Sequence, residues 1–185
     1  MSNRFIPITS LTAALMLSAC AFSPSGPKAT AQLQPTRGNS ISGSVTFAQI
    51  GDKVMVTGEI RGLKPNAEHG FHVHDKGDCS SGDGMSTGGH FNPMGASHGA
   101  HHQAMHHVGD LPSLKADNNG TARFNFESSS IAVGTGTANV VGRGLIVHRD
   151  PDDFTTQPTG NAGPRLACAV ISLPVQAPQA SSSGY

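Results

Sequence analysis

The sequence has no tryptophan, one tyrosine and few charged residues. Only 13% of its 185 residues are charged, and twelve basic side chains balance twelve acidic ones. The formal net charge is zero, whereas nucleic-acid-binding proteins usually carry an excess of basic residues, so no nucleic-acid partner is expected. Long helical periodicity is missing as well. The 23 glycines and 12 prolines instead indicate a turn-rich, all-β chain that is long enough for one domain.

The sequence also lacks an apolar run long enough to span a membrane. The apolar segment 5–16 is short and contains Pro7. It follows Arg4 and precedes Leu17-Ser18-Ala19-Cys20, an order that predicts a signal peptide over residues 1–19. Leu-Ser-Ala-Cys resembles a bacterial lipoprotein processing site, in which Cys20 becomes the lipidated first residue. Ordinary secretion, with cleavage nearby and loss of Cys20, is the alternative, and both interpretations predict export.

The rest of the chain divides by composition. Residues 20–37 are rich in Ser, Pro, Ala and Thr and predict a lipidated cysteine followed by a flexible tether. Segment 29–33 could add a first strand at a sheet edge. The single domain is expected over 38–174, followed by a disordered tail over 175–185.

Short alternating segments bounded by turn residues predict strands. They lie at 40–47, 53–60, around 71–74, and at 111–116, 121–126, 144–148 and 166–173. We predict an eight-stranded Greek-key β-barrel or sandwich with two long functional loops. The longer loop, from 75 to about 107, shows no period of either kind, and metal ligation could supply the order that packing does not.

Histidine is concentrated in one stretch. Nine of the ten histidines lie between Glu68 and Asp110, and the tenth is His148. In the strand Gly-Phe-His-Val-His, alternate side chains face opposite ways, so His72 and His74 share one face and can bind the same metal.

Two metal sites follow from the ligand types. Three nitrogens and one carboxylate, from His90, His98, His107 and Asp110, suit a tetrahedral zinc site. An all-nitrogen set of His72, His74 and His148 with one shared histidine favours copper(II). The chain therefore looks built for two different metals.

Five motifs together resemble the copper,zinc superoxide dismutase family, in its bacterial periplasmic, lipoprotein type. They are G-F-H-V-H, G-H-F-N-P, H-V-G-D-L, V-H-R-D-P-D-D and G-N-A-G-P-R-L-A-C-A-V-I, which occur in the family's order between 38 and 173. The resemblance implies dismutation of superoxide to dioxygen and hydrogen peroxide, with copper changing oxidation state and zinc beside it.

The resemblance also implies a role for each site residue. Copper is expected on His72, His74, His90 and His148, and zinc on His90, His98, His107 and Asp110. His90 would thus be the bridging and catalytic imidazole, and Arg165 would hold the anionic substrate. Asp152 would link His72 to His98 and fix their orientation. His69 matches a structural histidine that is not a ligand.

If Cys20 is lipidated, Cys79 and Cys168 remain, and the resemblance implies a disulfide between them in an oxidising compartment. Two free buried thiols are the alternative. The protein would then act on the periplasmic side of the cell envelope, anchored through Cys20, with the outer membrane as the expected membrane. The sequence leaves open whether it is a monomer or a homodimer.

Other interpretations also remain open. The main rival is a non-enzymatic periplasmic lipoprotein that binds copper and zinc on the same scaffold, and another is an envelope adhesion or scaffold lipoprotein. The loop histidines His101, His102 and His106 are expected to be solvated, with secondary metal capture as the alternative. The loop 153–160 lacks the acidic pair and lysine that guide substrate in animal members, so steering could use Lys76 or Arg149.

Overall fold

The computed structural model describes residues 26–174. Within that range the chain forms nine strands and one short 3-10 helix, Met85–Thr87. The strands are β1 Lys28–Pro35, β2 Ser42–Ile50, β3 Lys53–Arg61, β4 Glu68–His69, β5 Phe71–His74, β6 Leu114–Lys115, β7 Ala122–Ser128, β8 Gly144–His148 and β9 Arg165–Val170.

Seven of these strands form one curled antiparallel sheet. Their order is β5-β8-β9-β1-β2-β3-β7, and the two-residue strands β4 and β6 form a separate ribbon. Neighbours that are distant in sequence, such as β3 with β7 and β1 with β9, are typical of Greek-key connections. The sheet curls into a half-barrel, which confirms the predicted all-β class, although the described residues form nine strands rather than eight.

The first strand corrects the predicted tether. Residues 28–35, assigned to a flexible segment, form β1, which pairs with β2 and with β9. The strand suggested over 29–33 is thus present, but it lies inside the sheet rather than at an edge. Ala29, Ala31 and Leu33 alternate with polar residues and are almost fully buried. Burial of this apolar face accounts for the order of the strand.

The core lies on the concave side of the sheet, where period-2 patterning directs alternate side chains. β2 and β3 pair in a continuous antiparallel register from Ser42↔Arg61 to Ile50↔Lys53, in which Phe47 lies opposite Val56. Both side chains belong to the buried core. β8 has the predicted bounds, whereas β6 is limited to Leu114–Lys115 instead of the predicted 111–116.

The predictions of a signal peptide over 1–19, lipidation at Cys20 and a disordered tail over 175–185 lie outside the described residues.

None of the helices described across residues 26–174 has the length and apolar character needed to span a membrane.

Candidate metal centre

β5 carries two functional side chains on one face. All four of its residues are buried. Phe71 and Val73 join the hydrophobic core, so His72 and His74 project from the opposite face, as the alternation predicted.

The long loop returns along the free edge of β5. The Phe91 amide donates to the Val73 carbonyl at 2.8 Å, and the Val73 amide donates to the Gly109 carbonyl at 2.9 Å. These bonds place His90 beside His74 and Asp110 beside His72. The approach at Gly109 is so close that a Cβ atom there would collide with the Val73 carbonyl oxygen. Glycine is therefore required at position 109, directly before the site residue Asp110.

The first cluster contains His72, His74, His90 and His148. One nitrogen from each lies within 4.8 Å of the others, and all four residues are buried. The atoms concerned, Nδ1 of His72 and Nε2 of the other three, have no hydrogen-bond partner.

The opposite ring nitrogens explain why these atoms are free. His74 Nδ1 donates to the Gly88 carbonyl at 2.9 Å, and His148 Nδ1 donates to the Gly163 carbonyl at 3.0 Å. Because a neutral imidazole carries one proton, each Nε2 presents a lone pair. Burial lowers the pKa of His148 to about 3 and that of His90 to about 4, and it lowers the pKa of His74 well below its usual value. Buried lone pairs without a donor suit a cation, and four nitrogens suit copper.

The second cluster contains His90, His98, His107 and Asp110, also all buried. Asp110 carboxylate oxygens lie 2.8 Å from His90 Nδ1, 3.0 Å from His98 Nδ1 and 3.4 Å from His107 Nδ1. Burial would raise the pKa of Asp110, but its bonds to His107, His90 and His98 hold that pKa far below its ordinary value. Three nitrogens and a carboxylate around one point suit tetrahedral zinc.

The two clusters share His90, whose Nδ1 faces the second and whose Nε2 faces the first. The sequence profile of the family described as copper/zinc superoxide dismutase matches residues 41–171, the range that holds both clusters. The chain belongs to the copper/zinc superoxide dismutase family. Its cofactors are copper and zinc, and the donor atoms of the two clusters fit them.

Two relatives illustrate the similarity. The Cu-Zn superoxide dismutase of Paramecium bursaria Chlorella virus 1 is 44% identical over 137 residues, which are 71% of this chain and 72% of that protein. The crystal structure of the clock protein EA4 aligns with a TM-score of 0.73 and 41% identity, covering 80% of this chain and 96% of that one.

Asp152 connects the two clusters of this superoxide dismutase domain. Its Oδ2 lies 2.6 Å from His72 Nε2, and its Oδ1 lies 2.8 Å from His98 Nε2. This carboxylate bridge thus holds one residue of each cluster, as the resemblance implied. Burial alone would lower the pKa of His98, but the carboxylates of Asp110 and Asp152 outweigh it and raise that pKa to about 9.

Arg165 begins β9 and pairs with His148 of β8 in the sheet register. Its guanidinium donates to the carbonyls of Gly84 at 2.5 Å and Gly88 at 2.7 Å and to the Thr87 hydroxyl at 2.8 Å. Partial burial lowers the pKa of Arg165 from its usual value. Its charge lies close enough to lower the pKa of both His74 and His148. A fixed cation therefore stands beside the all-nitrogen cluster.

Cys79 and Cys168 form the predicted disulfide, with Cα atoms 5.9 Å apart. The bond ties the long loop to β9, three residues beyond Arg165. The loop segment that holds the guanidinium is thereby linked covalently to the strand that carries it.

The remaining histidines stand apart from the two clusters. His69 Nδ1 donates to the backbone carbonyl of His148 at 2.9 Å, a structural contact of the kind the resemblance implied. His101 and His106 each place Nδ1 against a backbone carbonyl, and His102 is exposed. Metal capture by these three stays a prediction. Arg149, one of two residues suggested for steering, is paired with Asp150 at 2.9 Å.

Sequence reasoning missed the residues that support the ligands. Thr87, Gly88 and Gly160 have no periodic signal, and only their nearness to His90 or Arg165 in the chain marks them. A Cβ at Gly160 would collide with the Asp152 carboxylate and His98 Nε2. Gly160 therefore leaves space for the carboxylate bridge.

Proposed function

We propose that this chain catalyses the dismutation of superoxide, in which two superoxide anions and two protons give dioxygen and hydrogen peroxide. The main support is His90, a buried imidazole that faces both clusters. Copper, when bound by His72, His74, His90 and His148, supplies the one-electron chemistry, and zinc on His90, His98, His107 and Asp110 fixes the shared ring.

The side chains have separate tasks in this proposal. Arg165 holds the anion beside the all-nitrogen cluster, where a preorganised cation is effective because it needs no reorientation. His90 takes up and releases a proton at Nε2, while its Nδ1 stays fixed beside Asp110 at 2.8 Å. Asp152 orients His72 and His98 through their distal nitrogens.

A rate measurement on copper- and zinc-loaded protein tests the proposal. We expect wild type to remove superoxide rapidly and His148→Ala to lose both copper and activity. His102→Ala, which alters an exposed histidine outside both clusters, is the matched control and should retain both. Wild-type protein that binds copper without removing superoxide would instead support the non-enzymatic metal-binding alternative. Arg165 argues against that alternative, because metal storage needs no anion-binding cation.

We further propose that the protein is a bacterial lipoprotein that protects the cell envelope from its periplasmic side, anchored in the outer membrane through Cys20. The signal-like segment before Leu17-Ser18-Ala19-Cys20 supports this proposal. The disulfide also supports it, because such bonds persist in oxidising compartments.

Radiolabelled fatty acid should enter wild-type protein but not Cys20→Ala, and the label should follow the outer-membrane fraction. Equal labelling of both proteins would contradict the anchor. Sedimentation of the metal-loaded protein decides between monomer and homodimer, because the homodimer has twice the mass of the chain.

A further inference from the structure

Thr87 lies between the two groups on which the proposed chemistry depends. Its side chain is fully buried. The hydroxyl oxygen is 2.8 Å from Arg165 Nη1, 2.8 Å from the Gly84 carbonyl and 3.2 Å from His74 Nδ1. One hydroxyl therefore contacts the anion-binding arginine and a residue of the all-nitrogen cluster.

The backbone around Thr87 is shaped for this position. Thr87 ends the 3-10 helix Met85–Thr87, which lies between Gly84 at φ 78° and Gly88 at φ 74°. Both values are in the left-handed region that favours glycine. The carbonyls of these two glycines accept hydrogen bonds from the Arg165 guanidinium, on either side of the Thr87 hydroxyl. Gly144 of β8 leaves room for the threonine methyl, because a Cβ there would lie 2.8 Å from Thr87 Cγ2.

Proton counting fixes the direction of each bond. A threonine hydroxyl has one hydrogen, which it gives to the Gly84 carbonyl, so it can only accept from Arg165 and His74. His74 Nδ1–H is directed mainly to the Gly88 carbonyl, which also accepts from Arg165 Nη2. Arg165 and His74 thus share two acceptors, the Thr87 hydroxyl and the Gly88 carbonyl.

The same count leaves a defined face of Arg165 for an anion. A guanidinium carries five N–H donors. Three of them donate to Gly84, Thr87 and Gly88. Two therefore remain, and a small oxygen anion can accept from them once the other three are fixed.

We propose that Thr87 is a positioning residue for superoxide binding. Its hydroxyl holds the guanidinium of Arg165 in a fixed position relative to His74. This inference rests on the proposed function, because it assigns the anion site of the same centre. Without the hydroxyl, the guanidinium keeps its two carbonyl acceptors but loses one of the two acceptors that it shares with His74. Part of its order must then be regained when the anion binds.

Azide binding to the copper- and zinc-loaded protein tests the inference without measuring turnover. The change in the copper(II) visible and EPR spectra gives a dissociation constant for azide. We expect Thr87→Val, which keeps the shape but removes the hydroxyl, to weaken azide binding by about 3- to 10-fold because the arginine is less preorganised. The azide-free EPR spectrum should shift as well, because His74 loses an acceptor near Nδ1–H. Thr87→Ser restores the hydroxyl and should return both signals to those of wild type.

Thr36→Val is the matched control. Thr36 is also buried, but its hydroxyl donates at 2.7 Å to the backbone carbonyl of Arg165, not to its guanidinium. We expect this variant to lower the unfolding midpoint while leaving azide affinity and the copper spectrum unchanged.

The outcomes separate the two hypotheses. If wild type binds copper but its spectrum does not respond to azide, the proposed anion site itself fails. If wild type responds and Thr87→Val binds azide equally well with an unaltered spectrum, the positioning role of Thr87 is refuted. An equal effect of Thr36→Val would also refute it, because the cause would then be general packing around Arg165.

Discussion

Replacing Asp152 with asparagine gives a sharp test of how the two metals are held. The carboxylate accepts three hydrogen bonds, from His72 Nε2 at 2.6 Å, from His98 Nε2 at 2.8 Å and from the Phe154 amide at 2.7 Å. Asparagine has the same shape but only one oxygen. Whichever way the amide turns, its NH2 group faces one of the two imidazole N–H groups.

The imidazole left without an acceptor loses the bond that fixes its tautomer and orientation. Loss of such a partner typically lowers metal affinity by about 10- to 100-fold, which corresponds to about 1.4 to 2.7 kcal/mol. We therefore expect Asp152→Asn to bind copper or zinc that much more weakly: copper if His72 is affected, zinc if His98 is.

Competition titrations with chelators of known affinity, run separately for each metal, measure this effect. Asp153→Asn is the control, because Asp153 is exposed and accepts from the amides of Thr155 and Thr156, not from a histidine. It should bind both metals as wild type does. Asp152→Asn with unchanged affinity for both metals would refute the orienting role of the carboxylate bridge.

Three further predictions concern the shared histidine, the disulfide and one glycine. Zinc removal should alter the copper spectrum of wild type but not that of His90→Ala, and an unchanged wild-type spectrum would mean that no side chain is shared. Replacing Cys79 and Cys168 with alanine should lower the free energy of unfolding by about 4 to 5 kcal/mol, because the disulfide joins residues 89 positions apart. Denaturant titration of both forms at matched metal content measures this difference, and equal free energies of unfolding would contradict it. Gly160→Ala should weaken zinc binding, because the new Cβ would collide with the carboxylate bridge. Gly51→Ala, at a similar φ of 60° with nothing within 4 Å, should not, and equal zinc affinity in both variants would contradict the steric argument.

The histidine clusters were predictable because strand alternation is a local property. His72 and His74 differ by two residues, so period 2 alone puts them on one face. The ligand types then separated a nitrogen-rich set from a mixed one. The contact between the sets was not predictable in this way, because it depends on backbone bonds from Val73 to Phe91 and Gly109.

β1 shows a different limit. Its alternation was present in the sequence, but the inward residues Ala29 and Ala31 are small and their neighbours are polar. Such a segment has little apolar area of its own, so composition favoured a linker. Its order comes from β2 and from β9, whose Ala167 and Cys168 are more than 130 residues away in the chain. The alternation suggested a strand over 29–33, but its place inside the sheet depends on this long-range pairing, which a local window of sequence cannot show.

Thr87 and Gly160 were missed for a third reason. Each contributes through one contact rather than through a pattern: a hydroxyl beside Arg165, or the absence of a Cβ beside Asp152. A single Thr or Gly in a loop carries no signal of such a contact. Arg165, in contrast, was predicted because it lies in a motif that resembles one of the family's.

Because β1 begins at Lys28, only a short segment separates the folded domain from a lipid attached at Cys20. From Cys20 to Lys28 there are eight residue steps, and a fully stretched chain covers at most about 28 Å over that length. A globule of about 150 residues has a radius of gyration near 15 Å and hence a diameter of about 39 Å, so the connecting segment is shorter than the domain is wide. If Cys20 is lipidated, as proposed, the domain would therefore stay in the layer next to the bilayer and act on superoxide close to the lipid surface.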